Sequence, residues 1–171
     1  MRVKSTKVYR EAIAVLDKYT PDVAWMLHEV KLVEKSYGEY VVASWFHPTQ
    51  TLELGGRYKE LDGLELASTI VHELHHKRQY ESGMVYNLAT MVHFEYAAFM
   101  AQVEFYKRVL DDRKCNPQMQ WVTFGQYRPT ASWYNWYCEG TLYERVSSVY
   151  NNAVQEGIVR SLTMKSFVMK G

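Results

Sequence analysis

The sequence predicts an α+β domain in which a short antiparallel sheet packs against a helix carrying two closely spaced histidines. Three observations carry this. Residues 24–56 hold β-branched and aromatic runs broken by turn residues. From about Leu61 the apolar period changes from that of strands to that of helices. One helix precedes the strands and several follow them, so strands and helices are segregated rather than alternating.

Taken in order, "STKVYREAIAVLDKYT" places Val8, Ala12, Val15 and Leu16 on one helical stripe, and Pro21 follows its end. "AWMLHEVKLVEKS" and "EYVVASWF" read as strands joined by "SYGE", and "TQTLELGG" as a third strand stopped by Gly55 and Gly56. Together they form an expected antiparallel meander. Leu66, Ile70, Leu74 and Lys77 share one face of the next helix, which "ESG" closes. A long helix is expected from about Tyr86 to Leu110, then an aromatic loop region, then a last helix over Leu142 to Gln155.

The 171 residues fit a single domain spanning 1–171, large enough to bury a core. A net charge of +1 with interleaved signs offers no field for nucleic acid or an anionic membrane. No apolar run approaches a membrane span, and Glu11 and Asp17 interrupt any leader-like segment, so a cytoplasmic protein is expected. Cys115 and Cys138 lack metal-site spacing and are expected as thiols.

The chemistry is concentrated in "IVHELHHKRQ". On a helix, His72 and His76 lie about 40° apart and one turn along, so both imidazoles can share a tetrahedral zinc ion. Glu73 sits beside His72, placed to reach a water on that ion rather than the ion itself. At this composition the bare pattern is expected roughly 0.02 times by chance, which favours metal over a solvated histidine cluster. His75 lies on the other side of His72 from Glu73 and is expected to pack or to make an outer contact.

A catalytic zinc usually takes a third protein ligand. Gln79 and Ser82 stand where a metzincin needs glycine and histidine, which excludes that site, and both cysteines lie downstream of the helix, which disfavours a deformylase-like one. The downstream candidates are His93, Glu95 and Glu104. Leu88, Met91, Val92, Ala98, Phe99, Phe105 and Val109 form an apolar stripe with Glu95 in its midst. A carboxylate there is costly unless it is paired or bound to metal. Glu104 has Arg108 one turn on, suiting a solvated pair, and His93 points about 200° away from Glu95. Periodicity therefore selects Glu95.

"HELHH" at 72–76 and "EYAA" at 95–98, eighteen residues apart, resemble the gluzincins, zinc metallopeptidases with H-E-x-x-H on one helix and a glutamate ligand on the next. Small bacterial or phage-type metallopeptidases have a similar E-x-x-A helix. The resemblance covers roughly residues 40–110 and implies a small zincin-like fold. It further implies Zn2+ held by His72, His76 and Glu95, with Glu73 as general base, and a peptide or protein substrate cut internally rather than at its ends. "TLELGG" resembles the edge strand along which such enzymes lay a substrate. An oxyanion donor would come from the C-terminal part, where Tyr127, Tyr134, Tyr137 and Tyr143 are available, and Glu139 is a candidate for lining the site. One departure stands out: Phe99 occupies the place where thermolysin-like members have an aspartate orienting the first histidine. The alternative reading is a zinc-binding regulatory or protein-binding domain with little or no turnover.

Overall fold

The computed structural model describes residues 3–36, 42–113 and 136–155. Helix α1 (Lys7–Tyr19) begins where the Thr6 hydroxyl accepts the Tyr9 N–H, and it buries Val8, Tyr9, Ala12 and Leu16. This is the predicted stripe with Val15 only half-buried. Pro21 then opens a short helix, α2 (Pro21–Met26), in its first turn, where a missing N–H costs nothing. A strand was expected to start at Ala24. It starts instead at Lys31, because Pro21 nucleates a helix that the aromatic content of "AWML" does not overcome.

Strands β1 (Lys31–Lys35), β2 (Ala43–Phe46) and β3 (Thr51–Gly55) form one sheet in the order β1-β3-β2. β2 and β3 are an antiparallel hairpin, turned by Gln50 in the left-handed region at φ 49°. β1 runs parallel to β3 on its other side. The sheet is therefore mixed, not a meander, and β3 is its buried centre rather than an edge. The strand suggested as substrate-lining is thus paired on both sides.

Helix α3 (Gly63–Glu81) starts with a capping box: the Asp62 carboxylate accepts the Glu65 N–H, and Glu65 accepts the Asp62 N–H. Gly63 lies against α1, and a Cβ there would sit 2.5 Å from the Glu11 Cβ. Gly63→Ala is expected to push α1 off α3 and to lower stability by about 1–3 kcal/mol, measured by urea denaturation.

α3 is wrapped by α1, β2 and helix α4 (Met91–Arg113), so it is buried nearly all round. Lys77, on its predicted apolar face, is buried with its ammonium paired to Glu81 and Glu29. α4 starts five residues later than expected. The Asn87 side chain accepts the N–H groups of Ala89 and Thr90, holding a turn ahead of the helix and leaving Leu88 exposed.

Helix α5 (Leu142–Gln155) lies where predicted and packs Leu142 and Val146 against Phe99 and Val103 of α4. Among the described residues, no helix is long and apolar enough to cross a membrane. Most of the expected aromatic loop, with Tyr127, Tyr134 and Cys115, lies outside the described residues. Cys138 is exposed.

Candidate metal centre

A helix buried on all sides must satisfy every polar side chain it carries. On α3 these include Ser68, His72, Glu73, His76 and Gln79. One helical turn separates His72 from His76, and both rings point toward α4. There Glu95, 7% exposed, emerges between Phe94 and Tyr96.

Three donor atoms converge. His72 Nε2 is 3.2 Å from His76 Nε2 and 3.2 Å from Glu95 Oε2, and His76 Nε2 is 3.5 Å from the same oxygen. Ligands at about 2.0–2.1 Å from a tetrahedral zinc are separated by edges of about 3.3–3.4 Å. The observed triangle has that size. Among the described residues it is the one His/Cys/Asp/Glu group that could hold an ion.

The remaining ring nitrogens show why a cation fits. His72 Nδ1 lies 3.1 Å from Gln102 Oε1, and His76 Nδ1 lies 2.8 Å from Gln79 Oε1. An amide oxygen only accepts, so each Nδ1 carries a proton and each neutral ring turns its Nε2 lone pair into the triangle. Two lone pairs and a carboxylate oxygen then face one another with no proton among them. Only a proton or a metal ion resolves that repulsion.

In the metal-free chain a proton takes the place. Burial disfavours charge on His76, but the hydrogen-bonded Glu95 carboxylate and the nearby Glu73 outweigh it and raise its pKa to about 9. Burial likewise pushes Glu95 up, while hydrogen bonds from His72 and His76, with their charge, pull it well below the usual carboxylate range. Because the folded pKa of His76 exceeds its ordinary 6.5, protonated His76 stabilises the fold fully below pH 6.5, and that contribution fades as pH rises through 9. Metal-free protein is therefore expected to lose melting temperature between those limits. Zinc-loaded protein should not, since its ligands carry no titrating proton there. Thermal melts with and without chelator check this.

Glu73 stands outside the triangle. Its Oε2 accepts the Trp45 backbone N–H at 2.7 Å, so the general-base candidate is fixed to the outer edge of β2. Phe99 packs its ring on His72 at 4.5 Å, and the orienting hydrogen bond comes from Gln102, one turn along. His75 is half-buried and outside the triangle, and burial with its histidine neighbours lowers its pKa to about 4. His93 is exposed, its ring 5.8 Å from that of Tyr143, as the helical geometry required. Glu104 is exposed but pairs with Lys107 at 2.8 Å, while Arg108 reaches the Tyr19 carbonyl instead.

Of the tyrosines suggested by sequence, Tyr137 and Tyr143 are among the described residues, and both make contacts outside the triangle. Tyr143 is 43% exposed beside His93 and Tyr96, and Tyr137 lies under the Lys107 ammonium. Glu139 is exposed. Tyr86, from the loop before α4, and Tyr150, from α5, both stand close enough to Glu95 for its carboxylate to act on their phenols. Burial, with the Glu95 charge, pushes both phenols above their ordinary range, and Tyr150 also feels Glu73. Leu142, Val146 and Tyr150 recur at helical spacing on one face, which marks the face Tyr150 shares but not what it meets.

The H-E-x-x-H helix, a glutamate from the next helix and a flanking mixed sheet form an α+β arrangement whose donor geometry is consistent with that typical of gluzincins and suited to a divalent ion such as zinc. Comparison with protein-family models, with curated proteins and with solved structures finds no match for this chain.

Proposed function

We propose that the chain is a zinc-dependent metallopeptidase, with His72, His76 and Glu95 as ligands and Glu73 as general base. The observation that carries this reading is the triangle of His72, His76 and Glu95 donors with Glu73 on the adjoining turn. A structural zinc site has no use for a base beside it. Zinc held there would polarise a carbonyl and lower the pKa of a water toward about 7.

The remaining chemistry belongs to the side chains. Glu73, held by the Trp45 N–H through one oxygen, takes the proton of the attacking water and delivers it to the leaving amine. Tyr150, kept protonated by burial and by the charges of Glu95 and Glu73, is suited to donate to the developing oxyanion. The outer edge of β2 runs beside Glu73, which favours an extended peptide or protein segment as substrate and internal rather than terminal cleavage. The test is hydrolysis of a broad peptide library, expected to stop with chelator and return with zinc. A wild-type protein that binds zinc and cleaves nothing would instead be a regulatory or binding domain.

A further inference from the structure

Gln79 and Gln102 are 4% and 3% exposed, on α3 and α4 respectively. A buried primary amide must use both its ends. Gln79 Nε2 donates to the Phe94 carbonyl at 2.8 Å. That carbonyl can only accept, so the amide cannot turn round, and its oxygen must face His76 Nδ1. Gln102 Nε2 donates to Ser68 Oγ at 2.8 Å and turns its oxygen to His72 Nδ1. A serine hydroxyl can accept or donate, so this second amide is held by a partner that can adapt.

Both partners are neutral. A carboxylate in either place would feed negative charge through the imidazole into the metal centre. Two amides orient the rings without doing so. We propose that Gln79 and Gln102 are the positioning residues of the metal centre, fixing both histidines as Nε2 donors while leaving the ion's positive charge undiluted. This rests on the metal-binding reading above. It replaces the carboxylate that Phe99 displaces with a pair of amides from two helices.

The two glutamines make opposite demands on a carboxylate. At position 102 the second carboxylate oxygen would meet Ser68, whose hydroxyl turns to donate. At position 79 it would meet the Phe94 carbonyl, acceptor against acceptor. Zinc affinity is read by competition with a chelator at mildly alkaline pH, and ligand geometry by the absorption spectrum of the Co2+ form. Gln102→Leu and Gln79→Leu should each lose affinity by about 10- to 100-fold and shift the spectrum. Gln102→Glu should bind at least as tightly as wild type, and Gln79→Glu should stay weak. His72→Ala serves as the reference for a lost ligand. Wild-type affinity and spectrum in both leucine variants, with binding lost in His72→Ala, overturns the positioning role but keeps the metal centre. Equal affinities in Gln102→Glu and Gln79→Glu also overturn it, even if the leucine variants fold poorly. Equal affinity in His72→Ala and wild type overturns the metal centre itself.

Discussion

Glu73→Gln is expected to keep the fold and zinc content and to lose hydrolysis by about 10²- to 10⁴-fold, the usual worth of a general base. The amide keeps the carboxylate's size, and its oxygen can still accept the Trp45 N–H, so β2 stays in place. It cannot take the water's proton. Metal content and thermal melting should match wild type, while turnover of library peptides falls. Equal cleavage by wild type and Glu73→Gln would falsify the mechanism. A variant that loses both zinc and activity would place Glu73 among the ligands instead.

The second large effect distinguishes Glu95 from His93. Glu95 is buried with its Oε2 on both histidines, whereas His93 is exposed on another face of α4. Glu95→Ala should weaken zinc binding by more than the roughly 10- to 100-fold typical of losing an orienting partner. It also strips His76 of its counter-charge, so the metal-free form should lose stability. His93→Ala should bind zinc like wild type and change stability by about 1 kcal/mol or less. Glu95→Gln keeps the volume but offers a neutral, poorer ligand, and should fall between them. Loss in His93→Ala with retention in Glu95→Ala would point to a three-histidine site and remove the gluzincin assignment.

Local sequence carried the metal centre because its logic is local. A helical turn places His72 over His76, and a glutamate in an apolar stripe marks Glu95. The same argument reaches Gln102, seven residues after Glu95 on the same face and equally polar among Val103, Phe105 and Ala98. Strand order was not legible. Alternation tells which face of a strand is buried, not which neighbour it takes, and the edge of β2 that a meander would give to β1 is given to Glu73. The N-terminus of β1 moved because Pro21 began a helix ahead of it. Tyr86 and Tyr150 reach Glu95 only through the packing of a loop and a distant helix, and no short window of sequence holds that information.

The account turns on whether three buried donors enclose an ion. The most direct measurement is the metal content of protein purified without added zinc and again after zinc addition and desalting, with His76→Ala treated alike. Close to one zinc per wild-type chain, and none retained by His76→Ala, is the result expected. Wild-type protein that stays metal-free after zinc addition would contradict it.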